Sequence, residues 1–208
     1  MTSTRKSRGG ISATELMAQL EKDEAYQRKR AAFDSELQER GRTLRVAEQP
    51  IIADLLRVGV HVESVWDLVN TAEPYPAALP VLIEHFERGG YPDRVMESVG
   101  RALAVKPAVA FWERLKSRYL APRSKGEQEG AAVALAACAT AAQLDDLIAF
   151  LSIHDRGDSR VYFIHPVLTV GGSRGRQVIE VLRADPVFGK EAAALLRRKS
   201  RVSPRELQ

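Results

Sequence analysis

The side chains able to do chemistry in this chain are few, and their spacing argues against most of it. The four histidines are His61, His85, His154 and His165. None forms an HxxxH or HExxH pair with another, whereas a zinc ion needs three or four ligands at workable spacing, so the sequence offers no metal site. His85 and His165 read as histidines at the edge of a core. The lone thiol, Cys138, sits in the alanine-rich run Ala131–Ala139 and reads as a small buried helix residue, with no histidine indicated as its base. Asp145 and Asp146 are adjacent and would point about 100° apart on a helix. They read as first-turn acids favoured by the helix dipole. Gly171-Gly-Ser-Arg-Gly-Arg176 is glycine-rich and basic directly before a helix. It is no Walker motif, but Arg174 and Arg176 at a helix start suit a phosphate or carboxylate, against the plainer reading of an inter-helix turn. Arg156-Gly157-Asp158 matches an adhesion tripeptide and reads as a loop and cap. Trp66 and Trp112 read as packing residues. No cofactor is implied.

Composition bounds what can position these groups. The chain has 208 residues, 45% hydrophobic and 28% charged, which is the ordinary globular range. A single cysteine excludes an intramolecular disulfide, which fits a reducing cytoplasm. Met1–Gly10 has basic residues with no apolar stretch after them, so it does not read as a secretory signal. No run approaches the roughly 18 apolar residues of a membrane span. The net charge of +4 is uneven. Arg5, Lys6 and Arg8 put +3 at one end, and the residues from Arg197 to Glu206 put +4 at the other, leaving −3 between them. The basic pI of 9.3 therefore belongs to the ends. Arginine outnumbers lysine 23 to 8, which with abundant alanine suggests a GC-rich bacterial source.

The elements read as helices throughout. Residues 1–11 read as a basic disordered tail. Residues 12–58 read as a long N-terminal helix and a short connecting helix. Ser12 and Glu15 have capping-box spacing, Pro50 ends or kinks the long helix, and Ile51–Val58 forms the short one, closed by Gly59. Phe33, Leu37, Leu44 and Ala47 form a sparse apolar stripe, so the long helix either lies along the body or dimerises. Beyond residue 62 an apolar pattern at i, i+3, i+4 and i+7 recurs. It appears as Leu79, Leu82, Ile83, Phe86, then Ala108, Phe111, Trp112, Leu115, then Leu144, Leu147, Ile148, Leu151, and last Val178, Val181, Leu182. Successive starts lie 29, 36 and 34 residues apart, in the range of helical repeats. Each copy is preceded by another helix, giving the pairs 62–70 with 76–88, 92–105 with 107–120, 126–139 with 142–152, and 158–171 with 174–184, then a closing helix over 187–198. Pro92 and Pro107 suit first helical positions, Asp158 and Ser173 suit N-caps, Asn70 and Gly171 suit C-terminal caps, and Pro166 predicts a kink. Residues 199–208 read as a basic C-terminal tail.

Arg156-Gly-Asp-Ser-Arg160, a helix, Gly171-Gly-Ser-Arg-Gly-Arg176 and then Val178-Ile-Glu-Val-Leu182 together resemble HEAT-type repeats. The resemblance spans about Val62 to Arg198. It implies an all-α fold, a short right-handed α-solenoid of about four HEAT-like helix pairs preceded by a long N-terminal helix. Proteins of that class mostly bind other proteins, while some bind DNA or act as lyases. Second helices line the inner face of such a stack. Positions opposite the core stripe are Glu84, Arg88, Glu113, Arg114, Asp146, Arg176, Glu180 and Arg183, four acids against four bases. Mixed charge suits a protein partner, so the expected function is a non-catalytic interaction or adaptor module, with a homodimer through the N-terminal helix as a further possibility. The alternative is a nucleic-acid-binding protein resembling the HEAT-like DNA glycosylases, which would need a positive groove. An enzyme acting on a small molecule is the least favoured reading.

Overall fold

The computed structural model describes residues 11–202, with side chains described as far as residue 198. Of the two basic tails expected at 1–11 and 199–208, residues 1–10 and 203–208 lie outside the described residues, while residues 199–202 belong to the last helix and not to a tail. Among the described residues the chain is all-α, with eleven α-helices, three 3-10 segments and no strand. Two compact units divide between Arg45 and Val46.

The first unit holds α1 (Ala13–Lys22) and the start of α2 (Glu24–Arg57). The Ser12 capping box is present, with the Glu15 amide donating to Ser12 Oγ and the Ser12 amide donating to the Glu15 carboxylate. The single long helix expected here is two. Asp23 adopts an extended conformation, and its carboxylate accepts from the amides of Ala25 and Tyr26. Its side chain thus starts a second helix in competition with continuing the first. Phe33 and Leu37 on α2 are exposed.

A further correction concerns Pro50. Helix α2 runs through it to Arg57, so Ile51–Val58 is no separate element. A proline in mid-helix removes one hydrogen bond, and complete burial of Ile51 and Leu55 in the following turn offsets that loss. The helix closes in a Schellman motif. Gly59 takes φ +80°, its amide donates to Leu56 O, and the Val60 amide donates to Leu55 O.

The rest of the second unit continues as α3 (Val65–Asn70), α4 (Ala78–Arg88), α5 (Asp93–Ala102), α6 (Trp112–Leu120), α7 (Lys125–Cys138), α8 (Leu144–Leu151), α9 (Ile164–Val170), α10 (Gly172–Leu182) and α11 (Gly189–Val202). Of the pairs expected from sequence, only α9 with α10 is a principal contact, and the other second helices pack on the helix that follows, α4 on α5, α6 on α7 and α8 on α9. Both α6 and α8 are preceded by a 3-10 stretch, Lys106–Phe111 and Ala141–Gln143. A third, His154–Phe163, leads into α9 and is broken at Gly157. Along the chain α3 packs on α5, α5 on α7, and α7 on His154–Phe163, while each of α5, α7 and α9 also touches an adjoining second helix.

Close approach of α5 and α7 depends on glycine. A Cβ on Gly100 would lie 2.2 Å from the Gly130 Cα, and one on Gly126 would lie 2.0 Å from the Asp93 carbonyl oxygen. The backbones touch where three side chains are missing. Tyr119, Phe150 and Phe163 form an aromatic cluster with ring centroids 4.9–5.1 Å apart, at edge-on and tilted angles that suit aromatic quadrupoles.

The repeating core pattern holds for Leu79, Leu82, Ile83 and Phe86, all buried, and for Ala108, Trp112 and Leu115. It shifts afterwards. Phe150 joins Leu147 and Leu151 in the core, and in α10 Ile179 is buried while Val181 is 76% exposed. Of the stripe expected in the fourth copy, Val178 and Leu182 are half-buried, but Val181 faces outward and Ile179 takes its place in the core. The placing residue is Gly175, where a Cβ would lie 2.0 Å from Val167 O. That close contact fixes which face of α10 turns inward. Pro166 causes no mid-helix kink, because α9 starts at Ile164 and the proline falls in its first turn, where an amide has no intrahelical partner. Asp158 lies inside the 3-10 stretch and Ser173 inside α10, so neither is an N-cap.

Candidate functional face

Second helices α4, α6, α8 and α10 carry the residues that sequence places on the binding face, and most of them have an oppositely charged partner on these helices. On α6, the Arg114 guanidinium donates twice to Glu87 of α4, Nε at 2.9 Å and Nη2 at 2.5 Å. This fork-to-carboxylate geometry is the strong form of an ion pair. It holds the Glu87 carboxyl below its usual range, chiefly through the hydrogen bond, and raises Arg114. Next along, Asp146 of α8 accepts from Lys116 Nζ at 2.6 Å and from the Trp112 indole at 2.8 Å, both of α6. Burial works to raise the Asp146 carboxyl, but the Lys116 and Trp112 bonds outweigh it and hold the group low. Then Arg174 of α10 meets Asp145 of α8 at 2.6 Å, and Glu180 lies between Arg176 at 3.9 Å and Arg183 at 3.0 Å.

The result is a ladder of opposite charges linking α4 to α6, α6 to α8 and α8 to α10. Of the eight expected face residues, Arg114, Asp146, Arg176, Glu180 and Arg183 are rungs or their neighbours. Glu84 and Arg88 are exposed on α4, and Glu113 is 79% exposed, with Lys116 at 3.9 Å. Glu87, Lys116 and Asp145 belong to the same ladder. No sequence signal singled out Glu87 or Lys116, because the pairing is set by helix separation and not by spacing along one helix. The anion site read at Arg174 and Arg176 is changed by the same geometry, since each guanidinium already has a carboxylate beside it.

Other candidates resolve as structure. Cys138 is buried, and burial pushes its thiol up to about 11, far from a thiolate at neutral pH. Trp112 is buried as expected. Trp66 is instead 37% exposed, with the Arg94 guanidinium 5.8 Å from its ring centroid. His165 is exposed and edges no core. His85 is buried, its Nδ1 2.6 Å from the Tyr91 hydroxyl and its Nε2 3.0 Å from the Asp54 carboxylate. Tyr91, His85 and Asp54 stand in the order of nucleophile, base and orienter. With the imidazole 1% exposed, the contact ties α2 to α4 and the loop after it. Among the described residues no three His, Cys, Asp or Glu side chains cluster to hold a metal ion, and no helix is long and apolar enough to cross a membrane.

One device was invisible in the sequence. Arg123 donates to the carbonyls of Phe86, Glu87 and Arg88 at the end of α4, and Arg156 to those of Tyr119 and Leu120 at the end of α6. Arg160 donates to Leu151 O at the end of α8. Each guanidinium satisfies carbonyls that a helix C-terminus leaves unpaired and meets the negative end of its dipole. Arg123 is in turn held by Glu127, buried on α7, at 2.6 Å. With this geometry in hand, no family model matches the chain, and no curated protein and no solved structure matches it.

Proposed function

We propose that the second unit is a short HEAT-like α-solenoid acting as a non-catalytic binding module, and that its second-helix face takes a protein partner. The observation that carries this reading is the ion-pair ladder across α4, α6, α8 and α10. Supporting the solenoid are the successive contacts α3–α5–α7 and the recurrence of an arginine on the C-termini of three second helices. The ladder presents alternating charge over four elements. A partner with complementary patches can exchange rungs with it at little desolvation cost near the rim, which favours specificity and fast association.

Nucleic acid needs a surplus of cations, because phosphate neutralisation and counterion release drive affinity. Here Arg114, Arg174 and Lys116 are already neutralised by Glu87, Asp145 and Asp146, so the ladder disfavours that alternative.

The test uses Glu84→Arg, Arg88→Glu and Glu113→Arg together, which alter exposed charges and spare the rungs. A protein captured from native host lysate by the wild type should be lost by the triple variant while its melting temperature stays close to wild type. A random DNA duplex should bind neither protein at physiological salt. Tight, salt-sensitive duplex binding by the wild type would replace this reading with the nucleic-acid one.

A further inference from the structure

Between α3, α4 and the end of α5 lies a hollow of about 420 Å³, within the roughly 300–1,000 Å³ of small-ligand sites. Its wall is apolar, from Leu68 and Val69 of α3, Leu79 of α4, and Ala104 and Val105 after α5. The remaining side is the loop Pro74-Tyr75-Pro76. Two prolines restrict that loop, and the Tyr75 hydroxyl pins it by donating to Ala102 O at 2.9 Å. The cavity is thus preformed, so a ligand does not have to order it.

Two charged groups line it, Arg101 and Glu73. Arg101 is oriented by its Nε bond to Glu97 at 2.9 Å and by a bond with the Tyr162 hydroxyl, and because a guanidinium carries five N–H donors, donors remain beyond these two bonds. The exposed Glu73 carboxylate has no hydrogen bond or ion pair among the described residues. A simple acid would answer Arg101 and meet Glu73 as a like charge, and a simple amine would do the reverse. A ligand with an apolar body and both charges answers each wall.

We propose that this hollow binds a small apolar zwitterion, of the amino-acid or dipeptide kind, with its carboxylate on Arg101, its ammonium at Glu73 and its side chain against Leu68, Leu79 and Ala104. The site lies apart from the second-helix ladder and does not depend on the partner proposed there.

Full-length protein is titrated with L-phenylalanine, the dipeptide Leu-Phe, 3-phenylpropionate and phenethylamine, followed by calorimetry and by NMR shifts of Ala104 and Val105. At least one zwitterion should bind saturably, about tenfold tighter than either singly charged analogue, as expected for one charge-assisted hydrogen bond gained. Phenylalanine against Leu-Phe decides between the two sources. In Arg101→Gln, phenylalanine should bind no better than phenethylamine. In Glu73→Gln, it should bind no better than 3-phenylpropionate. Ala104→Phe should fill the hollow and abolish binding, and if that variant does not fold, the two charge variants decide. Absence of saturable binding by either zwitterion at millimolar concentration would overturn the proposal. So would 3-phenylpropionate or phenethylamine binding as tightly as the zwitterions, or binding unchanged in the charge variants.

Discussion

Arg123 shows how much one side chain can do. Its guanidinium caps three carbonyls of α4 and neutralises Glu127, whose side chain is 2% exposed. Truncation to alanine orphans both, leaving Arg118 at 3.8 Å as the buried acid's remaining cation. We expect Arg123→Ala to cost about 1–3 kcal/mol, for the carbonyls left unpaired and the weakened Glu127 pair, measured by urea denaturation. A cost within ~0.5 kcal/mol would mean that water replaces the cap. The ladder residues make a different prediction about pH. Folding lowers the Glu87 and Asp146 carboxyls from ordinary values of 4.5 and 3.8. Below those values the unfolded chain takes up protons that the folded chain refuses. The stability from these pairs is therefore complete above about pH 5 and is lost as pH falls through the folded values. Both groups are partly exposed, so the effect is modest and should shrink in salt. Glu87→Gln with Asp146→Asn should flatten the acid limb of a melting-temperature profile, and an unchanged limb would place the acid sensitivity elsewhere.

Elements were legible in the sequence where periodicity is strong and illegible where contact between elements decides. The stripe Leu79, Leu82, Ile83, Phe86 could be read because one helix face alone carries it. The face of α10 could not, because Gly175 against Val167 O selects Ile179 over Val181, and spacing says nothing of a missing Cβ. Helix breaks followed the same division. The break at Asp23 and the continuation through Pro50 both turn on local competition, in one case a side-chain oxygen taking amides and in the other burial outweighing a lost bond. Of the candidate face, the residue identities were legible from helical phase, while the ladder needed the distances between helices. The α5–α7 contact gives the sharpest test at this scale. Gly126→Ala brings a methyl to within 2.0 Å of a backbone oxygen, and backbone cannot yield as a side-chain end does. It should cost at least about 2 kcal/mol, toward the upper end of overpacking. Gly41→Ala on α2 meets nothing within 4 Å and should raise helicity at 222 nm without lowering the melting temperature.

For the whole molecule the division at Arg45 and Val46 sets where the chain can be cut. The cut matters to within three residues. Buried Glu48 accepts from the Ser64 hydroxyl at 2.8 Å and the Val65 amide at 3.1 Å, and so fixes the start of α3. Removal of residues 1–45 should leave a cooperatively melting protein, whereas removal of residues 1–48 should lower its stability by about 1–3 kcal/mol for the orphaned buried donors. Equal melting of the two truncations would contradict that role for Glu48. Site-specific photo-crosslinking in native host cells tests the second-helix face directly. A benzophenone amino acid is placed at Glu84 or Glu113 on the second-helix face and at Arg94 or Glu129 on the first helices. A protein partner seated on the second-helix face gives one common adduct from Glu84 and Glu113 and none from Arg94 or Glu129. Adducts from the first-helix positions alone, or adducts to nucleic acid from the second, would contradict it.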